Sequence, residues 1–245
     1  MNVAVIGAAG WVGRAVLENF AGRHVVRAFD YNPEAWAAYR KFHGNWEGEK
    51  VYGDISRFAD VRSVLEGMDA VVNLAAYFGE GEAPEDDPSP FLINVKGMWN
   101  ILESARQLNL VRIVQMGSCV VKHPDGVFLS SNVRSEEGDL YGITKRLQEE
   151  VCRQYHDAYG VSTIIFRPCS IGDSRLGITR DGRPARGGIS WVCRHDLAEA
   201  CHLAVTSDID FDIMHTASHP DADNYCNVAR SREILGLEYK GYFPE

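Results

Sequence analysis

Three side chains that can transfer protons are spaced so that one fold could bring them together: Ser118, Tyr141 and Lys145. Tyr141 and Lys145 lie four positions apart in the sequence YGITK, so a helix places them on one face. A lysine ammonium beside a phenol favours the phenolate and lowers the pKa of the tyrosine toward neutral pH. Such a tyrosine can act as general acid or base on a substrate hydroxyl that Ser118 also hydrogen-bonds.

A glycine-rich turn near the start of the chain could hold a pyrophosphate. The sequence GAAGWVG places Gly7, Gly10 and Gly13 between a predicted strand and a predicted helix. Glycine allows a tight turn and a close approach of the backbone to phosphate, and the helix N-terminus offers free N–H groups. Asp30 ends the second predicted strand, where a carboxylate can bind an adenosine ribose. Because that carboxylate would repel a 2′-phosphate, the sequence favours NAD over NADP.

Predicted strands and predicted helices, which must position these residues, alternate along the chain. We predict strands at 3–7, 24–30, 50–54, 69–76, 111–118, 161–168 and 212–216, and helices at 11–20, 33–42, 57–65, 90–108, 140–159 and 196–206. This alternation predicts an α/β fold, with a parallel sheet covered by helices on both faces. Two segments that we predict to be irregular, the acidic 79–90 and the Gly- and Arg-rich 172–188, follow strands at the ligand-binding edge of such a sheet.

The order of these motifs resembles the extended branch of the short-chain dehydrogenase/reductase superfamily, the NAD-dependent epimerase/dehydratase-like proteins. The matching stretches are GAAGWVG at 7–13, GDI at 53–55, NLAA at 73–76, NVKGMWNIL at 94–102, MGSCVV at 116–121, YGITK at 141–145, RPCSIG at 167–172 and HDLAEA at 195–200. The resemblance implies a doubly wound Rossmann domain over residues 1–245, with a small substrate-binding portion at 168–193 and 217–245. It also implies that Ser118, Tyr141 and Lys145 are catalytic.

The same resemblance implies an NAD site along the sheet edge. Asp54 and Ile55 would lie beside the adenine, and Ala75 and Ala76 near the ribose and pyrophosphate. Lys145 would also hold the nicotinamide ribose, and Asn94 would support that lysine through water. The residues that the resemblance assigns to the cofactor are Gly7, Gly10, Trp11, Val12, Gly13, Asp30, Asp54, Ile55, Leu74, Ala75, Ala76, Asn94, Tyr141, Lys145 and Cys169.

Within this branch the chain resembles uronate dehydrogenases, which oxidise a uronic acid at C1 with NAD. The stretches that carry this resemblance, in order, are DLYGITKRLQEEVCRQYHDAYG at 139–160, RPCS at 167–170 and ARGGISWVCRHD at 185–196. In that family a serine after the sixth strand and an arginine before an aromatic residue contact substrate, which implies Ser170 and Arg186 here. A guanidinium is a natural bidentate partner for a carboxylate. The chain departs from the family at Cys119, where those enzymes tend to have asparagine, and at VKH, residues 121–123. The implied substrate-binding residues are Phe78, Ser118, Cys119, Ser170 and Arg186.

The function predicted from the sequence is therefore NAD-dependent oxidation of a small carbohydrate, a uronic acid or aldose, at C1 to the lactone. A nucleotide-sugar epimerase or dehydratase that retains NAD is one alternative. A non-catalytic NAD-sensing protein on the same fold is another, although it would have no need of the Ser118, Tyr141 and Lys145 set.

Composition limits the ligand classes and the cellular location that we expect for this protein. A net charge of −9 excludes a general binder of nucleic acid or anionic membranes. Six cysteines without a CxxC pair indicate reduced thiols. We see neither a secretory leader nor an apolar run of the ~20 residues that a membrane span needs, so we expect a cytoplasmic enzyme. We expect no metal at His215 and His219, and read Asp86–Asp87 and Glu136–Glu137 as solvated charges. The resemblance implies a homodimer or higher oligomer through helices 90–108 and 140–159.

Overall fold

A seven-stranded parallel sheet forms the centre of the fold. The structure is a computed structural model that describes residues 1–78, 86–121 and 139–243. Its strands are β1 (Asn2–Ile6), β2 (Val25–Asp30), β3 (Glu49–Tyr52), β4 (Ala70–Asn73), β5 (Arg112–Met116), β6 (Thr163–Pro168), β7 (Ser170–Asp173), β8 (Ile178–Thr179), β9 (Trp191–Cys193) and β10 (Phe211–Thr216). The central sheet has the order β3-β2-β1-β4-β5-β6-β10, which is doubly wound as predicted.

Helices cover both faces of this sheet. They are α1 (Trp11–Phe20), α2 (Arg40–His43), α3 (Phe58–Leu65), α4 (Gly97–Leu108), α5 (Leu140–Tyr159), α6 (Arg194–Thr206) and α7 (Ala229–Leu235). Alternate residues of β1 enter two different cores. Val3 and Val5 pack with residues of α1 and α6, whereas Ala4 and Ile6 pack with residues of α3 and α4. A strand buried on both faces explains the continuous apolar run near the start of the sequence.

Two predicted helices differ from the structure. The segment predicted as one helix at 33–42 is a 3-10 turn, Pro33–Ala37, followed by the single-turn α2. Asn32 begins the 3-10 turn, because its side chain accepts a hydrogen bond from the Ala35 N–H at 2.9 Å. The helix predicted at 90–108 begins with wide π-type turns, Pro90–Lys96, before α4. A π-type turn inside a helix is often found at a functional site.

The segment 172–188 contains more order than predicted. Strand β7 pairs antiparallel with β8 and parallel with β9, which gives a small three-stranded sheet beside the carboxyl end of β6. Short strands separated by glycines carry too little periodic pattern to be recognised from sequence. We call residues 172–188 the arginine loop. Its four arginines are Arg175, Arg180, Arg183 and Arg186.

No helix in residues 1–78, 86–121 or 139–243 is both long and apolar enough to cross a bilayer. All six cysteines are free thiols. The division into a main domain and a small substrate-binding portion stays a prediction, as do the cytoplasmic location and the oligomer. Glu136–Glu137, His123 and most of the acidic 79–90 segment lie outside the described residues.

Candidate active site

The glycine turn joins β1 to α1 and leaves the helix start open to an anion. Gly7 has φ +78°, and a Cβ there would lie 2.8 Å from the Ala75 nitrogen. A Cβ at Gly13 would lie 2.6 Å from the Ala8 carbonyl oxygen, so both positions require glycine for close packing. Gly10 caps α1 without a side chain, and the first turn of α1 holds no acidic residue. The N–H groups at this helix start can therefore bind phosphate.

Asp30 lies against the same turn. One carboxylate oxygen accepts the Ala9 N–H at 2.8 Å, and the other accepts the Tyr31 N–H at 2.9 Å. Burial raises the pKa of Asp30, and these two backbone hydrogen bonds act in the opposite direction. An acceptor at the end of β2 beside an uncapped helix start suits an adenosine ribose next to a pyrophosphate. The residues present therefore fit NAD.

The other residues expected at the cofactor follow neighbouring strands. Asp54 and Ile55 follow β3, and the Asp54 carboxylate accepts the Ser56 N–H at 2.8 Å. The buried Ile55 packs on Gly97, where a Cβ would lie 3.0 Å from its side chain. Leu74, Ala75 and Ala76 follow β4 and lie across from the glycine turn.

Ser118 and Tyr141 meet at the carboxyl end of β5. Helix α5 begins after Asp139, whose carboxylate accepts the Gly142 N–H at 2.8 Å and so fixes the first turn. The Ser118 side chain is a hydrogen-bond partner of the Tyr141 phenol, and this contact lowers the pKa of the phenol. Burial nevertheless raises the pKa of Tyr141 to about 12, while the Ser118 hydrogen bond and the charge of Arg180 lower it. The structure brings Ser118 and Tyr141 together, and their shared action on a substrate oxygen stays a prediction.

Lys145 lies one helical turn below Tyr141 and is fully buried. Its Nζ donates to the Met116 carbonyl at 2.9 Å and to the Gln148 Oε1 at 3.1 Å. Burial lowers the pKa of Lys145 to about 8. Lys145 is not among the main causes of the pKa shift of Tyr141 in this structure, and a lowering of that pKa by this lysine stays a prediction. Desolvation outweighs other effects on the phenol, and the Lys145 Nζ lies 5.8 Å from the ring centre.

A buried amide network that the sequence analysis missed holds Lys145 in place. The Asn73 amide donates to the Gln115 Oε1 at 2.7 Å, and Gln115 donates to the Gln148 Oε1 at 2.9 Å. Gln148 donates to the Asn94 carbonyl at 2.9 Å. Asn73 ends the apolar strand β4 and Gln115 lies within the fully buried strand β5, and such polar residues in buried strands are a signal that the sequence itself carries.

Asn94 reaches Lys145 through Gln148, whose side chain accepts from the lysine amine and donates to the Asn94 carbonyl. A link through water stays a prediction. The Asn94 side chain accepts the Tyr77 N–H at 2.9 Å and donates to the Tyr77 carbonyl and the Thr144 hydroxyl, each at 3.0 Å. These contacts fix the segment after β4 against α5. Direct contact of the Asn94 side chain with cofactor stays a prediction.

An aromatic stack extends from Tyr141 toward solvent. The Phe78 ring stacks on the Tyr141 ring with centres 5.0 Å apart and an angle of 26°. Arg180 lies over Phe78, with its guanidinium carbon 4.5 Å from the ring centre. Arg175, in contrast, pairs with Glu18 of α1 at 2.9 Å. The arginine loop therefore spans from α1 to the Phe78 ring that stacks on Tyr141.

The remaining residues expected at the cofactor or the substrate differ from one another in their contacts. The Cys169 thiol hydrogen-bonds to the thiols of Cys119 and Cys226, and these contacts raise its pKa. Ser170 on β7 and Arg186 are exposed. A role for Cys169 at the cofactor, and roles for Cys119, Ser170 and Arg186 in binding substrate, stay predictions. Within the described ranges, no group of three His, Cys, Asp or Glu side chains could hold a metal ion.

A Rossmann sheet, an uncapped phosphate turn and a Ser118–Tyr141 pair with a lysine one turn away define an NAD-dependent enzyme of the short-chain dehydrogenase/reductase type. The model of the NAD dependent epimerase/dehydratase family matches residues 3–182, and the chain belongs to that family. Its cofactor is accordingly NAD, and its coarse activity is that of an oxidoreductase or epimerase. Family membership supports an enzyme over a non-catalytic NAD sensor.

Two curated relatives align with almost the whole chain. An NAD-dependent glucose-6-phosphate dehydrogenase from Haloferax volcanii is 24% identical, and the alignment covers 96% of this chain and 92% of the relative. A uronate dehydrogenase from Pseudomonas putida is 29% identical, and the alignment covers 100% of this chain and 84% of the relative.

Solved structures share the fold. A variant of uronate dehydrogenase from Agrobacterium tumefaciens, in complex with NAD, matches with a TM-score of 0.75 at 22% identity, covering 98% of this chain and 84% of that one. The UDP-glucuronic acid 4-epimerase from Bacillus cereus, in complex with NAD, matches with a TM-score of 0.78 at 15% identity, covering 98% of this chain and 92% of that one. At these identities the likeness supports the fold alone.

Proposed function

We propose that this protein is an NAD-dependent dehydrogenase that oxidises a small free sugar, a uronic acid or a related aldose, at C1 to the lactone. The observation that carries the proposal is the hydrogen-bonded Ser118–Tyr141 pair at the carboxyl end of β5, with the Lys145 amine one helical turn below. NAD, when bound, supplies the acceptor for the hydride. The residues discussed below supply the proton transfer and the positioning.

Tyr141 is the general base for the anomeric hydroxyl of the sugar. Its phenol lies in a largely desolvated position, so the proton transfer is shielded from water. The Ser118 hydroxyl, which contacts the phenol oxygen, orients the sugar hydroxyl and stabilises the charge that develops on its oxygen. The high pKa of free Tyr141 means that a positive charge near the phenol must help to form the phenolate.

Lys145 supplies one such positive charge, and the amide network holds it in position. The Met116 carbonyl and Gln148 fix the amine one helical turn from the phenol, and this lysine would also hold the nicotinamide ribose. Because burial lowers the pKa of Lys145 to about 8, the amine is mostly protonated at neutral pH. The same desolvation strengthens its electrostatic effect on a neighbouring phenolate.

The substrate class rests on the relatives. The two that align over nearly the whole chain are dehydrogenases of glucose 6-phosphate and of uronates, and both names denote sugars that carry an anionic group. A nucleotide-sugar epimerase that retains NAD is the second candidate, since the matching family includes epimerases by its description. The two candidates differ in net redox change, which an absorbance measurement detects.

The experiment is to follow NADH formation with glucuronate, galacturonate, glucose 6-phosphate, glucose and UDP-glucuronate. The proposal predicts net NADH formation with at least one free sugar, and a lactone as the product. Conversion of UDP-glucuronate without net NADH, together with no response to any free sugar, would support the epimerase instead and contradict the proposal.

A further inference from the structure

Three of the six cysteine thiols meet in one place in the fold. Cys169 and Cys226 belong to the same small buried cluster, and the partly buried Cys119 packs against it. The Cys169 thiol hydrogen-bonds to the thiols of both Cys119 and Cys226. Cys119 follows β5, Cys169 follows β6 and Cys226 precedes α7, so this thiol cluster joins three parts of the chain that are distant in sequence.

The thiol cluster adjoins the proton-transfer site. Cys119 directly follows Ser118 and begins the 3-10 turn Cys119–Val121. The Ser118 hydroxyl accepts the Val120 N–H of this turn at 3.3 Å. After burial, the charge of a Cys119 thiolate is one of the causes that raise the pKa of Tyr141, so this thiol lies close to the phenol. A movement of Cys119 would therefore shift Ser118 relative to Tyr141.

The members of the cluster differ in their access to solvent. Cys119 is partly exposed, whereas the other five cysteines of the chain are buried. The hydrogen bonds to Cys119 and Cys226, together with burial, raise the pKa of Cys169, so that thiol keeps its proton at neutral pH. An oxidant that arrives from solvent therefore meets Cys119 first, with the Cys169 thiol already in contact with it.

We propose that hydrogen peroxide converts Cys119 and Cys169 into a reversible disulfide, and that this modification inactivates the enzyme. In the first step the Cys119 sulfur attacks the O–O bond of the peroxide, which gives a sulfenic acid and one water. In the second step the Cys169 sulfur attacks the sulfenic sulfur, and the hydroxyl leaves as water with the Cys169 proton. The two sulfurs lose two electrons in total, and the peroxide accepts both.

The disulfide is expected to displace Ser118. It brings the two sulfurs to about 2 Å from each other, well below the separation of hydrogen-bonded thiols. Cys119 must therefore move toward Cys169, and the neighbouring Ser118 moves with it. A displacement of about 1 Å in a catalytic group can lower the rate about 10²-fold. The inference goes beyond the proposed function, because formation of the disulfide does not depend on which substrate the enzyme takes.

The test treats the reduced protein with hydrogen peroxide and maps its disulfides by mass spectrometry of peptides that have not been reduced. The expected result is a Cys119–Cys169 link, a loss of activity of about 10²-fold, and recovery of that activity with dithiothreitol. Cys226→Ser is the matched control, because it removes a thiol that also contacts Cys169 but leaves the proposed pair. This variant should keep both the link and the recovery.

Two further variants test the role of each partner. Cys119→Ser should form no link, and its activity should be the same before and after the peroxide treatment. Cys169→Ser should lose activity that dithiothreitol does not restore, because a sulfenic acid without a neighbouring thiol is oxidised further to the sulfinic acid. A reversible loss of activity in either variant would contradict the assigned pair.

The disulfide map of the wild type decides the rest. A Cys169–Cys226 link, or no link at all after peroxide treatment, would overturn the proposed pair. A complete Cys119–Cys169 link with unchanged activity would overturn the inactivation. If the wild type oxidises no free sugar, the proposed function fails, whereas the disulfide map still confirms or contradicts the modification.

Discussion

The guanidinium carbon of Arg194 lies 3.7 Å from the centre of the Trp11 ring, and its Nη1 donates to the Trp11 carbonyl at 3.1 Å. Both residues are buried, and Arg194 also binds the Asp173 carboxylate, through Nε at 2.7 Å. Trp11 begins α1 at the phosphate turn, whereas Asp173 ends β7 at the start of the arginine loop. The cofactor side and the substrate side of the site are therefore joined through one buried arginine.

This link predicts a large loss of stability when one partner is removed. Asp173→Asn leaves the buried Arg194 charge without its carboxylate, which is expected to cost about 3–5 kcal/mol in the free energy of unfolding. Urea denaturation measures the difference. The matched control is Glu18→Gln, which breaks the exposed Arg175–Glu18 pair and should cost less than about 1 kcal/mol. Equal losses in the two variants would contradict the role of the Arg194 link.

The Asp30 carboxylate is expected to determine the choice between NAD and NADP. Asp30→Asn keeps the shape of the side chain but removes the charge that repels a 2′-phosphate. We expect the ratio of kcat/KM for NADP to that for NAD to rise about 10- to 100-fold, the range of one charge-assisted interaction. The control is Glu49→Gln, which makes the same charge change at the opposite end of β3 from the ligand-binding edge. An unchanged ratio in Asp30→Asn would show that another residue selects the cofactor.

The lowered pKa of Lys145 is expected to make the free energy of unfolding depend on pH. This pKa is about 8 when folded and 10.5 in the unfolded chain, so the unfolded chain holds more protons between these values. Stability from this group therefore rises as pH increases from about 8 to 10.5, by up to about 3 kcal/mol. The difference in unfolding free energy between wild type and Lys145→Met should shift in favour of the wild type over that range.

Urea denaturation of both proteins at pH 7.5 and pH 10 measures this shift. The exposed Lys240 provides the control, because Lys240→Met should show a constant difference from the wild type at the two pH values. A constant difference for Lys145→Met as well would mean that its folded pKa is not lowered.

Replacement of Tyr141 is expected to reduce catalysis strongly while leaving NAD binding almost unchanged. Tyr141→Phe removes the proton acceptor, and loss of general-base catalysis is expected to lower kcat about 10²- to 10⁴-fold. NAD affinity, measured by calorimetry, should change by only a few fold. Tyr155→Phe on the same helix is the matched control, because its hydroxyl contacts Glu103 at 3.3 Å and not the site. Full activity in Tyr141→Phe would remove this tyrosine from the mechanism.

Much of this arrangement was predictable because periodic patterns and short spacings report on local structure. The bounds of α1 and α5 match the prediction, and with them the helical face shared by Tyr141 and Lys145. The side-chain contacts depend on three-dimensional burial. The pKa of Tyr141 is set by desolvation, which no spacing reveals, and the Gln148 network joins residues from separate elements.

The side-chain contacts of the arginine loop could not be predicted from the sequence either. A count of charges along the loop treats its four arginines alike, whereas the fold pairs Arg175 with Glu18 and places Arg180 over Phe78. Phe78 and Arg180 are far apart in sequence, so their contact follows from the sheet order and not from a motif.

Transfer of the C1 hydrogen of a free sugar to NAD is the central claim, and isotope labelling tests it most directly. The measurement is the mass of NADH formed from glucuronate, or from whichever free sugar the enzyme oxidises, deuterated at C1. Oxidation at C1 predicts one deuterium in each NADH and none left at C1 of the lactone product. Unlabelled NADH, or deuterium retained at C1 of the product, would contradict oxidation at C1.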